Sequence, residues 1–408
     1  AKLVDERMQN ILDEYEYIGL EDIESWLGKR VNNRDIEQSE RKPESSANVF
    51  MPGDVLFGKL RPYLAKTLIP DFAGVCSTEL LVIRPYENLI APFVLFSLLN
   101  RQLIGWIDSQ TYGTKMPRVN PSLIENLQIC IPPKREQEAI TAFLKEETKN
   151  IDELIEKKQR LIELLKEKRA ALINQVVTKG LDPNVPMKDS GIDWLGEIPE
   201  HWDVSKLKLL ATVVTSNVDK KSYEGEQEVR LCNYTDVYNH EYITPDLDFM
   251  KATASQVEID KFKLKEGDVL VTKDSEDWRD IAVPAFVSAI DNEDILCGYH
   301  LAIVRPKTSI TDGEFLFRSL SSNIINHQLR LSATGITRYG LSKYCLENSI
   351  IVSPPLEEQK AIVAFLREET MRIEELLSKI DDGIEKMKEY RSALIAAAVT
   401  GKIDVRGE

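Results

Sequence analysis

PPKREQEAITAFLKEETKNIDELIEKKQRLIELLKEKRAALINQVVTKGLD, residues 132–182, returns 222 residues later as PPLEEQKAIVAFLREETMRIEELLSKIDDGIEKMKEYRSALIAAAVTGKID, residues 354–404. Without a gap, 27 of the 51 paired positions are identical. A repeat of that length outweighs local propensity, so the chain reads as two copies of one unit. Paired prolines open each copy; proline fixes φ and lacks an N–H that a helix start leaves unpaired in any case. Behind them apolar residues recur at intervals of three and four: Ile140, Phe143, Leu144, Ile151, Leu154, Ile155, Leu161, Leu165, Leu172 and Val176. The second copy follows with Ile362, Phe365, Leu366, Ile373, Leu376, Ile380, Ile384, Met387 and Leu394. This is helical periodicity with no proline to interrupt it. About 43 residues at ~1.5 Å each make a helix of roughly 65 Å, whose apolar stripe needs a partner. The natural partner is the other copy, giving a two-helix coiled coil.

Outside the helices the repeat continues more faintly. GDVL at Gly53 matches GDVL at Gly267, LLVIRP ending at Pro85 matches LAIVRP ending at Pro306, and Glu125-Asn126 matches Glu347-Asn348. Residues 1–131 carry short β-rich runs at Tyr17 to Ile23, Val55 to Phe57 and Leu80 to Arg84, then a helix expected from Pro92 to about Ile107 and a last strand at Leu127 to Ile131. Residues 203–353 repeat this α+β pattern. The expected order is therefore a first globular domain at 1–131, a long helix at 132–180, a linker at 181–202, a second globular domain at 203–353, a second long helix at 354–400 and a tail at 401–408.

The copies differ in particular loops. GKLRPYLAK, residues 58–66, follows the first GDVL strand where TKDSEDWRD, residues 272–280, follows the second; TYGTKMPRVN at 111–120 is answered by ATGITRYGLS at 333–342. One scaffold with two loop sets is what recognition of two different targets requires.

At 408 residues the chain is too long for a single core. Its longest apolar run is too short to span a bilayer, and no leader peptide opens the chain, so a cytoplasmic protein is expected. Five scattered cysteines with no CxxC indicate neither a disulfide framework nor zinc, and Cys76 and Cys297, at matching places, read as small buried groups. The net charge is −15, distributed as −3 over residues 1–134, 0 over 135–186, −9 over 187–353 and −3 over 354–408. Any DNA affinity must come from local clusters or from a partner that supplies the positive field. No GxGxxG or Walker loop offers a nucleotide or methyl-donor site. SPPL at 353–356 lacks the aromatic of the adenine-methyltransferase N/D/S-P-P-aromatic motif and merely opens a helix. The four histidines have no metal-ligand spacing.

Taken together, the doubled PP-x-x-E-Q (Glu136, Gln137; Glu358, Gln359), WLGEIP-x-x-W (Trp194, Leu195, Gly196, Ile198, Pro199, Trp202) and the GDVL turns resemble the DNA-specificity subunit of type I restriction–modification systems, over essentially the whole chain. The first copy departs in lacking a counterpart of WLGEIPEHW, and the chain opens at Ala1, so the N-terminal edge of its first domain is expected to be incomplete. The resemblance implies a non-catalytic subunit with two α+β target-recognition domains separated by two long antiparallel helices, each domain reading half of a bipartite asymmetric sequence in double-stranded DNA. It implies two modification subunits that carry S-adenosylmethionine and methylate adenine, and restriction subunits that use ATP and Mg; no cofactor is expected in this chain. Changing the helix length should change the spacer between half-sites.

A reader needs Arg or Lys for guanine edges and phosphates, and amides or hydroxyls for other edges. The candidates are Lys59, Arg61, Tyr63, Lys66, Lys115 and Arg118 in the first domain, and Lys273, Ser275, Trp278, Arg279, Thr337, Arg338 and Tyr339 in the second. The alternative is a coiled-coil scaffold that brackets protein partners without touching DNA. A third reading, a methyltransferase with its own catalysis, needs a donor site that the sequence does not offer.

Overall fold

The computed structural model describes residues 1–9, 15–31, 46–290 and 294–405; the end of the expected tail, 406–408, lies outside the described residues, as do parts of the first domain. Two compact units result, 1–160 with 379–408 and 161–378, and they divide inside the long helices rather than between helix and globular domain. The helices run Lys134–Lys179 and Leu356–Val399.

Among the described residues, the first unit holds an antiparallel sheet of four strands in the order Lys2–Val4, Leu80–Arg84, Val55–Gly58, Thr67–Leu68. A second sheet takes the order Arg7–Gln9, Ser46–Phe50, Gly74–Cys76, Tyr17–Ile18. In the second unit the main sheet runs Ala211–Thr215, Leu301–Pro306, Val269–Thr272, Pro284–Val287, Tyr242–Ile243, beside a smaller sheet of Met250–Ala254, Gln227–Cys232 and Ile295–Cys297. The central pairing keeps its register: Val55 faces Ile83 as Val269 faces Val304.

The repeated motifs have structural reasons. Gly53 and Gly267 sit at φ of 87° and 88°, left-handed values that favour glycine. The aspartate that follows caps its own turn, Asp54 Oδ2 accepting from the Met51 amide at 2.9 Å and Asp268 Oδ2 from the Lys265 amide at 2.8 Å. Each aspartate is buried and receives a forked pair of bonds from the arginine of the VIRP or IVRP strand. Arg84 donates from Nε and Nη2 at 2.7 Å each, and Arg305 at 2.8 and 2.7 Å. Two parallel N–H···O bonds of this kind fix orientation as well as supplying energy.

The PP-x-x-E-Q motif is a clamp. Buried Gln137 accepts from the Ile90 amide at 3.0 Å and donates to the carbonyls of Asn88 and Pro132 at 2.8 Å each. Gln359 repeats this with the Asp312 amide at 2.8 Å, Ile310 carbonyl at 3.1 Å and Pro354 carbonyl at 2.8 Å. One side chain thus ties each helix start to the turn before the helix at Ala91–Leu98 or Gly313–Ser321. In the second unit Glu358 also accepts from the Trp202 indole at 3.0 Å, so the last residue of WLGEIPEHW enters the core through a hydrogen bond. The expected linker is folded as well: Met187–Asp189 pairs with Glu197–Pro199, and Leu195 and Ile198 are buried.

The long helices run antiparallel in each unit. In the first, Arg391 donates to Asp152 at 2.9 Å; in the second, Arg169 donates to Glu374 at 3.2 Å, the same pair of repeat positions with roles exchanged between the helices. Ile140, Leu144, Ile151, Leu394, Ile395, Ala398 and Val399 join the core of the first unit, and Ile173, Val176, Val177, Ile362, Val363 and Leu366 that of the second. Among the described residues no helix is long and apolar enough to cross a membrane.

Several expectations need correction. The helix expected from Pro92 to Ile107 is two, Ala91–Leu98 and Arg101–Ser109, because the Asn100 side chain accepts from the Gln102 amide and caps a new start. Tyr17 to Ile23 is a two-residue strand followed by a 3₁₀ turn, Leu20–Asp22. Leu127 to Ile131 forms no strand: its counterpart Ile350–Ser353 pairs with Asp203–Lys206, and among the described residues nothing takes that place in the first unit. Leu154, Leu161 and Leu376 are exposed rather than part of the buried stripe.

Candidate nucleic-acid interface

Both divergent loop pairs hang from one backbone framework. In the first unit the Lys59 amide donates to the Glu79 carbonyl at 2.9 Å, and Lys59 in turn accepts from the Val119 amide at 3.0 Å. In the second the Lys273 amide donates to the His300 carbonyl at 2.9 Å and Lys273 accepts from the Leu341 amide at 2.7 Å. Strand ends 58–59 and 272–273 therefore carry, at equivalent points, the loop that follows GDVL and the loop that precedes the final short helix. The first loop of the first unit holds Arg61 at φ 51° and Ala65 at φ 45°, and Ala282, two residues past the corresponding loop of the second unit, is left-handed too at φ 62°. Such conformations cost of order 1 kcal/mol each and are kept where the loop shape matters.

In the first unit the structure brings Lys59, Arg61, Lys115 and Arg118 onto these adjoining loops. The Arg61 amide donates to the Pro117 carbonyl at 2.7 Å, and Tyr112 and Arg118 exchange backbone bonds at 3.1 and 3.0 Å, closing a small hairpin with Lys115 exposed near its tip. Arg118 forks onto Glu79 at 3.2 and 3.3 Å, and that hydrogen bonding raises the pKa of the guanidinium. Arg61 and Tyr63 are exposed. Lys66 is turned away: its amine donates to the Leu20 carbonyl at 2.7 Å inside the fold.

In the second unit Asp274 and Ser275 pair with Gly340 and Tyr339, so the two loops form a short antiparallel ribbon. Ser275 is buried in it, whereas Trp278, Arg279, Thr337 and Arg338 are exposed and Tyr339 is half-buried. Arg279 is held by Asp277 through Nε at 3.1 Å and Nη2 at 2.7 Å, and that bonding keeps the carboxyl below the usual carboxylate range. The Lys273 amine donates to Asp274 at 2.7 Å and lies 4.7 Å over the Tyr299 ring. Burial alone would raise the Asp274 pKa; hydrogen bonds from Lys273 and His300 outweigh it and lower it. Arg338 reaches the His300 ring at 3.1 Å.

Sequence reasoning missed Glu79, Tyr299 and His300, which stand directly behind the loops. Their signal is positional: Glu79 immediately precedes LLVIRP, and Tyr299-His300 precedes LAIVRP. Tyr299 and His300 also line, with Asp219, Lys220, Asn233 and Tyr234, a cleft of about 130 Å³ beside the ribbon. Burial pushes the Cys76 thiol up to about 12 and Cys297 higher still, which suits packing and not reactivity.

Two loop clusters of cationic and aromatic residues, each buttressed by a carboxylate or imidazole, are thus mounted at equivalent points of one repeated scaffold. The chain belongs to the type I restriction modification DNA specificity domain family, whose model matches residues 14–164 and 199–386. It is 25% identical over 409 residues to the type I restriction enzyme MjaVIII specificity subunit of Methanocaldococcus jannaschii, covering 100% of this chain and 89% of that one. It is 21% identical over 336 residues to the EcoKI specificity subunit of Escherichia coli K12, covering 81% and 68%. Among solved structures, a chain from a study of type I R-M complex assembly and conformational transition superposes with a TM-score of 0.74 at 19% identity, covering 99% of this chain and 100% of that one. The HsdS subunit from Thermoanaerobacter tengcongensis gives 0.55 at 22% identity, covering 95% and 91%. These two likenesses speak for the fold.

Proposed function

We propose that this chain is the non-catalytic DNA-specificity subunit of a type I restriction–modification system, in which residues 1–131 and 203–353 are target-recognition domains reading the two halves of an asymmetric, bipartite sequence in double-stranded DNA. The observation that carries the reading is the shared mount: the hydrogen bonds at Lys59 and Lys273 hold two unlike loop pairs at one point of a repeated fold. Arg61, Lys115 and Arg118 with Lys59 and Tyr63 serve one half-site; Trp278, Arg279, Thr337, Arg338 and Tyr339 with Lys273 serve the other; Lys66 and Ser275 support their loops from behind. An arginine clamped by a carboxylate, such as Arg279 on Asp277, spends less freedom in meeting a guanine edge.

With a net charge of −15, and with Lys273 and Arg279 already paired to acids, the chain alone lacks the field for tight DNA binding. Two modification subunits supply that field, carry S-adenosylmethionine and methylate adenine in the cytoplasm; restriction subunits use ATP and Mg. The test is a map of methylated adenines in host DNA with the gene intact and deleted. A split motif with a fixed gap that loses methylation on deletion supports the reading. An unchanged pattern with active partners overturns it in favour of a scaffold without DNA readout, and S-adenosylmethionine binding by the chain alone would revive a methyltransferase.

A further inference from the structure

We propose that Ile336 reads a thymine, packing against its 5-methyl group in the major groove of the half-site recognised by the second unit. The inference rests on the reading of this face as a DNA reader. Ile336 is 92% exposed, far more than the other exposed apolar residues around the loops. Single apolar side chains on a surface are ordinary; the mount of this one is not. Residues 334–340 form a tight hairpin closed by reciprocal backbone bonds, Thr334 N–H to Gly340 at 3.0 Å and Gly340 N–H to Thr334 at 2.8 Å. Gly335 turns at φ 143°, and a Cβ there would lie 1.9 Å from the Arg338 carbonyl oxygen, so the backbone at the turn closes tightly. Behind the tip, Tyr339 pairs with Ser275, and Arg338 rests on His300, which is itself held by Asp274 at 3.2 Å. The isoleucine is thus presented on a braced hairpin, flanked by the donors Thr337 and Arg338.

Of the four bases, thymine alone offers an apolar group in the major groove, its 5-methyl. A pre-positioned isoleucine gains by covering it without having to order a loop. Thr114 occupies the matching position of the first-unit hairpin and offers a smaller apolar face there.

The experiment uses the full chain with its modification subunits and a duplex bearing the split motif recovered from host methylation. Each thymine of that duplex is replaced in turn by deoxyuridine, which removes only the methyl group. Wild-type protein should lose about fivefold in affinity at one position in one half-site, what about 40 Å² of apolar surface left wet is worth at ~25 cal/mol per Å². Ile336→Ala should bind the thymine duplex about fivefold more weakly and be indifferent to deoxyuridine at that position, and Ile336→Ser, which carries no methyl group, should behave likewise. The proposal is overturned if both proteins respond alike to every replacement. It is equally overturned if Ile336→Ala weakens all sequences equally, which marks a wedge between base pairs. Loss of selectivity by the wild type itself, between this duplex and a scrambled one, would sink the DNA-reading function and this contact with it.

Discussion

Replacing Gln359 by leucine removes the clamp at the start of the second long helix with little change in volume. Three partners lose their bonds: the Asp312 amide, 2.8 Å from Oε1, and the carbonyls of Ile310 and Pro354, 3.1 and 2.8 Å from Nε2. A buried polar group left without a partner costs about 1–3 kcal/mol. Each carbonyl keeps a second lone pair for water that enters, so the low end applies, and three groups at ~1 kcal/mol give about 3 kcal/mol. With two units in the chain a single unfolding midpoint is a poor readout. Amide hydrogen exchange across 308–316 is local: a 3 kcal/mol loss corresponds to roughly a hundredfold faster exchange at Asp312. Gln137→Leu should do the same at Ile90 in the first unit while leaving Asp312 protected. An Asp312 amide that stays as protected as in the wild type, in a folded variant, would refute the claim that this side chain joins helix to domain.

Three further outcomes follow from the geometry. Arg305→Met strands the buried Asp268 carboxylate and should destabilise the second unit by about 3–5 kcal/mol, whereas the double change with Asp268→Leu should recover part of that loss, as read by amide hydrogen exchange in the core strands of that unit. Asp274 has a lowered folded-state pKa, so it stabilises the ribbon above the ordinary carboxylate value of about 3.9 and loses that effect as pH falls through its own lower value. The Leu341 amide, followed by NMR, should therefore show a change as pH falls below about 4 that Asp274→Asn abolishes. For DNA, Arg279→Ala should cost about 1–3 kcal/mol and relax selectivity at one base pair, while Lys115→Ala should weaken all sequences alike and lower the salt slope by about one, measured by binding across a salt series.

Much of this was legible in the chain because it was written twice. Repetition exposed the long helices, the GDVL turns and the loops that depart from them, and the doubled PP-x-x-E-Q carried the family. What escaped depended on partners distant in sequence. Nothing local says that the Lys66 amine ends on the Leu20 carbonyl, or that Leu127 to Ile131 lacks the strand that Ile350–Ser353 enjoys. Leu154 and Leu376 occupy equivalent places and both face outward, because a stripe continued over so many turns drifts off the buried seam. The cap at Asn100 was readable, an asparagine standing just before a helix-forming run, and a continuous apolar pattern hid it.

The way Leu394, Ile395, Ala398 and Val399 finish the core begun by Ile140, Leu144 and Ile151 sets a timetable for synthesis. Some 248 residues separate Ile151 from Val399 along the chain. At ~5–20 residues per second the ribosome needs roughly 12–50 s to supply the closing residues. Throughout that interval the first unit emerges with an oily seam uncovered and with Asp152 still awaiting the arginine at 391. The part of the protein made first is therefore among the last to be sealed, and the nascent chain is exposed to aggregation and to chaperones for most of its own translation.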